Sequence, residues 1–423
     1  MAREDHDPDY DPRDPMDQAW VLDEADRILS EEHDIPELRL RERRLLRSGA
    51  PSLRDILALR LARSRSWLRR ELALDPSPLH LSIVFAVYRE TGRLMPVDRH
   101  PHGEDLLVQK IRQLEWLCSP FPQVTWEMLV VDDGCPDGSA AVAREILVER
   151  CPEAPVRVLE LAEAIRQGDP LPFAEPLAST DQSRKGGSIV YGLQEALNSR
   201  DPDPRHILVY TDADLSTHLG QVGLLVRHLA RGEKLAAVGT RRHWRSAVVK
   251  EGSRDRRGRL FIYLWKGLLR PISFITDTQC GFKAFPDPVL REILRDLVEP
   301  GFAFDMELLL RTETLGPGRI ARVPIVWIDS DEASTTTALA PYLDMLKAAA
   351  RMYRAHPFAS PEADALAGFI EGLEPAGWRR LLEVVPSVIA DGEPGDFGGK
   401  RPVGVDDLEL LLSGDEADRW ASD

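Results

Sequence analysis

Two aspartates one residue apart, Asp212 and Asp214, lie in the run Tyr210-Thr211-Asp212-Ala213-Asp214-Leu215-Ser216-Thr217, directly after the apolar segment His206 to Tyr210. That segment reads as a strand. Strand side chains alternate, so both acids can leave the strand end on one side and share one hard divalent cation. A cation held by only two carboxylates keeps positions open for phosphate oxygens. In an open α/β sheet the carboxyl ends of the strands are where ligands bind. An acidic turn or helix cap would explain the same pair without any chemistry, so its meaning depends on what accompanies it.

The company is an ordered series. The strand Trp126 to Val131 runs into Asp132-Asp133-Gly134-Cys135-Pro136-Asp137-Gly138-Ser139 and then a helical pattern, Ala140 to Glu149. The strand Leu79 to Val87 ends in Tyr88-Arg89-Glu90, and Lys234 to Val238 ends in Gly239-Thr240-Arg241-Arg242. Arg184-Lys185-Gly186-Gly187-Ser188 precedes another helix. Farther along stand Asp277-Thr278-Gln279-Cys280-Gly281-Phe282-Lys283, then Phe302 to Leu309 with Asp305 and Glu307, then Val323 to Asp329.

This ordered set resembles the family 2 glycosyltransferases of the GT-A fold, and within them the dolichyl-phosphate and polyprenyl-phosphate glucosyl- and mannosyltransferases. Asp-Thr-Gln-Cys-Gly-Phe-Lys looks like the dolichyl-phosphate glucosyltransferase signature, and the likeness covers about residues 79 to 335. It implies an α/β, Rossmann-like fold with a mostly parallel central sheet and helices on both faces. It also implies inverting transfer of a hexose from a nucleoside-diphosphate sugar, with UDP-glucose favoured and GDP-mannose the other choice. Mg2+ or Mn2+ would act as Lewis acid and template for the leaving diphosphate.

The resemblance also implies roles. Asp214 would bind the metal directly, and Asp212 the metal, its water shell or the ribose. Tyr88, Glu90, Asp132 and Asp133 would meet base and ribose, since a carboxylate can accept from a uracil or guanine N–H. Lys185 precedes glycines that would let backbone approach the nucleotide at a helix N-terminus. Asp305, with Glu307 beside it, would take the proton of a hydroxyl acceptor. Arg241 would meet the donor, and Arg241, Arg242 and Gln279 the acceptor, arginine's planar fork being suited to phosphate. Two departures stand out. The family's Pro-Ala-Tyr-Asn-Glu is Ala86-Val87-Tyr88-Arg89-Glu90 here, and Ser216 replaces the Gln of the mannosyltransferases. Two other readings are a sugar-1-phosphate nucleotidyltransferase and a non-catalytic nucleotide-sugar-binding module. The first should open with a Gly-rich basic loop, and the second should have lost the acid pair or Asp305.

The chain has 423 residues, 43% of them hydrophobic, which suffices for a large central domain with additions. Its net charge of -16 argues against nucleic acid as a partner. Cys118, Cys135, Cys151 and Cys280 lack metal-ligand spacing and are expected as reduced thiols. No segment reads as a transmembrane span. Leu260 to Ile275 comes nearest, interrupted by Lys266, Arg270 and Pro271, and could lie on a membrane or pack on the domain. The expected setting is cytoplasmic, with peripheral membrane contact left open.

Four regions follow: a disordered acidic tail (1–16), an N-terminal helical region (17–75), the GT-A domain (76–335) and a C-terminal helical region (336–423). The helix Pro51 to Leu74 should pack its apolar stripe and leave its arginines in water. Ala162 to Arg184, rich in Pro, Gln, Asp and Ser, reads as a long surface loop. The cations from Arg241 to Arg245 and from Lys250 to Arg259 suggest an acceptor loop, for a polyprenyl phosphate or for a soluble small molecule or peptide.

Overall fold

The computed structural model describes residues 9–32, 34–48, 52–249, 256–329, 340–358, 360–399 and 402–413. Among the described residues nine strands run in chain order: β1 Leu79–Val87, β2 Val124–Asp132, β3 Val156–Glu160, β4 His206–Thr211, β5 Ala236–Thr240, β6 Ala247–Val249, β7 Phe282–Pro286, β8 Ile320–Pro324 and β9 Val326–Ile328. Seven of them form one sheet in the order β3-β2-β1-β4-β7-β5-β8, and β6 pairs with β9 apart from it. All neighbours in the large sheet are parallel except β7, which is antiparallel to both β4 and β5. The mostly parallel α/β sheet matches the expected class.

Both faces of β1 are covered, as its nearly continuous apolar run requires. Leu81, Ile83, Phe85 and Val87 enter a core with the helices Leu106–Cys118, Ser139–Arg150 and Val222–Leu229. Val84 faces the other way, into a core with the helices Gly186–Asn198, Arg256–Leu268 and Phe304–Leu315.

Helices Pro15–Glu31, Ile35–Arg47 and Leu53–Leu74 precede the sheet, and the third joins the first core through Leu68 and Leu72. Arg69 and Arg70 are exposed as expected, but Arg60, Arg63 and Arg65 turn inward. Arg60 is fully buried and donates to Glu42 and, at 2.9 Å, to the Arg245 carbonyl. Arg63 also pairs with Glu42, and Arg65 pairs with Asp26 while lying 3.6 Å over the Trp116 ring. Partners on the two preceding helices make this burial tolerable, because a charge removed from water must be paired. The acidic tail is likewise ordered from Asp9 on. Tyr10 is buried, and an Asp9 oxygen accepts from the Leu53 amide at 2.8 Å. Residues 1–8 of that tail lie outside the described residues.

The expected loop 162–184 contains a helix, Leu161–Gln167, and a 3-10 turn, Thr180–Gln182. Phe173 and Leu177 are buried in the core, and Phe173 bridges to Leu297. Two apolar anchors in a polar segment were enough to dock it.

The membrane-surface reading of 260–275 also gives way. Leu260 to Leu269 is buried, beneath the C-terminal helices Ala340–Ala355 and Pro361–Glu371 and the segment around Phe397. Lys266 is buried too, its Nζ donating to the Pro394 carbonyl at 2.6 Å. Among the described residues no helix is long and apolar enough to cross a membrane. All four cysteines are unpaired.

Candidate active site

The chain turns from β1 outward to β2 and β3, then returns to place β4 on the other side of β1. At such a switch point the connections leave in opposite directions, and a crevice opens beyond the carboxyl ends. β1, β2 and β4 deliver Tyr88 and Glu90, Asp132 and Asp133, and Asp212 and Asp214 to that edge.

Asp212 is the best-positioned of these. Its amide donates to the Gly281 carbonyl at 3.1 Å, and Lys185 Nζ donates to its carboxylate. Any Cβ on Gly281 would fall inside van der Waals distance of Asp212 Cγ and both carboxylate oxygens. The glycine of the Asp-Thr-Gln-Cys-Gly-Phe-Lys motif is therefore the seat of that carboxylate. Burial pushes the Asp212 pKa up, but Lys185, Arg241 and Lys283 outweigh it and hold the group below its ordinary value. Asp214 is held by its own turn, Oδ1 accepting from the Ser216 amide at 3.1 Å, while Arg93 Nη1 stands 3.9 Å from Oδ2. Lys110, fully buried, donates to the Asp214 carbonyl at 2.8 Å.

Asp305 lies in the first turn of the helix Phe304–Leu315 but makes no capping bond. Its Oδ1 accepts from the Tyr210 hydroxyl and, at 2.5 Å, from Lys283 Nζ. Lys185 feels Asp212 and Asp305 together, and their charges outweigh its burial and raise its pKa. Arg241 N, Nε and Nη2 donate to Asp277 at 2.8, 2.9 and 2.7 Å, and Trp327 lies beneath its guanidinium. That pairing drives Asp277 down to about 2 against the effect of burial.

The remaining expected residues divide. Asp133 joins the cluster through Lys185, whose amide it accepts at 2.7 Å, and also accepts from Ser188 Oγ at 2.6 Å. Asp132 instead spends both oxygens on its own turn, accepting from the amides of Cys135 and Ala140 at 2.7 and 3.1 Å. Glu90 is clasped by Arg93 through two 2.6 Å bonds, and burial lifts its pKa to about 7 against the pull of that arginine. Tyr88 is half exposed. Arg242 lies at the surface, and Gln279 is partly buried with Nε2 enclosed.

Two expectations are corrected by their contacts. Glu307 faces away from Asp305 and accepts from the amides of Val298 and Glu299 and from Arg311, so it secures the turn that carries Asp305. Gly186 permits packing of a helix N-terminus against the 300–301 turn, and Gly187 against Ser183, which accounts for both glycines without a nucleotide. Gly187 N donates to the Pro300 carbonyl at 2.7 Å and Ser188 N to Ser183 Oγ at 3.1 Å, so both amides are taken. Arg184 and Lys185 adopt positive φ of 42° and 95°, a strain that aims the lysine at Asp212. Lys250 to Asp255, and the side chains of Arg256 and Arg257, lie outside the described residues.

Tyr210, Lys283, Asp277, Lys110 and Arg93 were not foreseen. For Lys283 a signal existed, since it lies two residues after Gly281 in the strand that pairs with β4. Lys110 and Arg93 carry no local signal.

The donor set suits a divalent metal. Asp212 and Asp214 offer carboxylate oxygens, and among the described residues no third His, Cys, Asp or Glu joins them in a ligand cluster. Such an ion would take its other ligands from water or from a bound phosphate.

A mostly parallel α/β sheet with acids gathered at its switch point defines a ligand-binding protein of the open α/β class. No protein-family model matches the chain. Dolichyl-phosphate beta-glucosyltransferase of Drosophila melanogaster is 27% identical over 271 residues, 62% of this chain and 72% of that protein. The Saccharomyces cerevisiae protein of the same name is 23% identical over 279 residues, 63% of this chain and 72% of that one. Glycosyltransferase AglD of Haloferax volcanii is 29% identical over 262 residues, 61% of this chain, but the chain spans only 35% of AglD. Among solved structures, glucosyl-3-phosphoglycerate synthase of Mycobacterium tuberculosis is 19% identical, covering 69% of this chain and 86% of that one with a TM-score of 0.44. Over 62–63% of its length the chain is thus similar to proteins named dolichyl-phosphate beta-glucosyltransferase.

Proposed function

We propose that the protein moves a hexose, with inversion, from a nucleoside-diphosphate sugar, UDP-glucose before GDP-mannose, to a polyprenyl phosphate or a soluble acceptor. The observation that carries this reading is the joint placement of Asp212 and Asp305 around Lys185, with Asp212 seated against Gly281. Asp212 and Asp214 would hold Mg2+ or Mn2+, which would supply charge neutralisation for the departing diphosphate. Lys185 turns the Asp212 carboxylate toward the crevice, and Asp133 fixes the Lys185 backbone. Tyr88, Glu90 and Asp132 lie on the nucleotide side of the same edge. Asp305 takes both of its bonds on Oδ1, leaving Oδ2 to receive a proton from a hydroxyl acceptor. For a phosphate acceptor Asp305 would position rather than deprotonate. Arg241, Arg242 and Gln279 lie on the acceptor side, where Arg241 is pre-oriented by Asp277.

The relatives' name favours a lipid phosphate, and the exposed Trp244 between Arg242 and Arg245 gives that choice a surface. The apolar run 260–269 is not the lipid's seat, because the C-terminal helices cover it. A screen of UDP-, GDP-, CDP- and dTDP-sugars by thermal shift with Mn2+ or Mg2+ would name the donor, since a ligand of the native state raises its stability. Metal-dependent release of UDP from UDP-glucose, lost in Asp214→Ala, is the expected result. Equal release by that variant would refute the assignment.

A further inference from the structure

At the opposite, amino end of the sheet, three strands bring together a second set of polar residues. In the register of β1 with its neighbours, His80 lies opposite Thr125 of β2 and His206 of β4, and Ser82 lies opposite Glu127. His80 and Ser82 are two residues apart, so they share one face of β1. Histidine and glutamate are unusual choices for the interior of a sheet whose other buried positions are mostly apolar.

The imidazoles are held as a metal site would hold them. His206 Nδ1 faces Asp287 Oδ2 at 3.2 Å, and Arg291 in turn fixes Asp287 through a 2.6 Å bond. His80 Nδ1 lies 2.7 Å from Thr125 Oγ1. A ligating histidine ordinarily has its other ring nitrogen held in this way by a carboxylate or another oxygen, which sets the tautomer and orientation. The Nδ1–H bond to Asp287 leaves His206 Nε2 with a lone pair.

The remaining donor atoms converge around Ser82. One ligand atom each from His80, Glu127 and His206 lies within 4.8 Å of the others, and His80 Nε2 stands 3.7 Å from Glu127 Oε1. Two ligands about 2.0–2.2 Å from a tetrahedral ion lie roughly 3.3–3.5 Å apart, so small side-chain adjustments close the set. His80 is only 7% exposed, and its Nε2 is buried without a hydrogen-bond partner. Ser82 Oγ lies 2.7 Å from Glu127 Oε1 and 2.8 Å from His206 Nε2. Its single hydrogen can satisfy only one of these two acceptors. A cation resolves that surplus of lone pairs.

We propose that His80, Glu127 and His206 bind one dication of the zinc class, with the Ser82 hydroxyl at the fourth position, stapling β1, β2 and β4 together. Two imidazoles and one carboxylate suit zinc or cobalt better than magnesium, which prefers all-oxygen octahedra. With a protein hydroxyl closing the fourth position, the site is structural.

The test uses tag-free full-length protein, stripped with chelator and titrated with Zn2+ and, separately, Co2+. The Asp214→Asn background removes one carboxylate of the switch-point pair, so loss of sugar transfer and loss of this site are read apart. One equivalent of Zn2+ per chain, tetrahedral Co2+ absorption bands and a rise in Tm of about 2 °C or more are expected. All three should vanish in His206→Asn and in Glu127→Gln, with far-UV circular dichroism confirming that at least one variant is folded. Binding undiminished in a folded variant, or an octahedral Co2+ spectrum, would overturn the proposal.

Discussion

Tyr210 and Lys283 are register partners across the antiparallel pair β4–β7, and both donate to the same oxygen of Asp305. The helix bearing Asp305 is thereby tied to the two strands that carry Asp212 and seat it. Lys283 and Asp305 are an ion pair removed from water, so loss of one partner leaves an uncompensated charge. Lys283→Met is expected to destabilise by about 3–5 kcal/mol. Tyr210→Phe, which removes one hydrogen bond to a charged group, should cost about 1.5–3 kcal/mol. Urea midpoints at pH 7 would rank them, and equal losses would show that the pair is not the main tie.

Gly281→Ala tests the seat of Asp212 with a single methyl. The added carbon would collide with the carboxylate, which must rotate away from Lys185. Turnover should fall about 100-fold, the scale on which small misplacements act in catalysis. The Mn2+-dependent thermal shift with UDP-glucose should disappear in parallel. A variant that retains both would show that the carboxylate does not need this position.

Asp305 and Glu307, two residues apart on one helix, should separate cleanly. Asp305→Asn removes the proposed base and should lower kcat by about 100-fold or more with a hydroxyl acceptor, donor affinity being retained. Glu307→Gln loosens the 298–299 turn instead, so its effect should be on stability, with kcat per folded molecule within about threefold. The reverse pattern would move the catalytic role to Glu307.

His218 gives a pH dependence of known sign. Its Nδ1 accepts from the Gly220 amide at 3.0 Å, and burial, followed by the charge of Lys110, lowers its pKa to about 3. The unfolded chain therefore binds the proton more readily than the native one below an ordinary value near 6.5. Stability should fall as pH drops from that value toward 3, by at most about 2 kcal/mol between pH 6.5 and 5. His218→Asn keeps an acceptor at the cap and should flatten that slope in denaturant titrations. An unchanged slope would assign the acid sensitivity elsewhere.

Local order supplied a great deal. β1 runs from Leu79 to Val87 as its apolar pattern requires, and the first three helices begin within two residues of their Pro or Ser signals. The acid pair after β4 and the motif ending in Lys283 were readable as local runs, although both acids lie beyond Thr211, the last residue of β4, where strand alternation no longer sets their facing. Such periodicity reports which residues share a surface, not what that surface meets.

Only the folded chain decided the partners. It seats Asp212 against Gly281, 69 positions on in the sequence, and turns Glu307 away while aiming Asp305 at Lys283. It draws Arg60 inward to Glu42 and covers the apolar run 260–269 with helices from the far end of the chain. It also brings His80, Glu127 and His206, from three separate strands, to one end of the sheet. Strand pairing and long-range burial select these neighbours, and a pattern confined to a dozen residues carries no record of which distant charge will compensate a buried one.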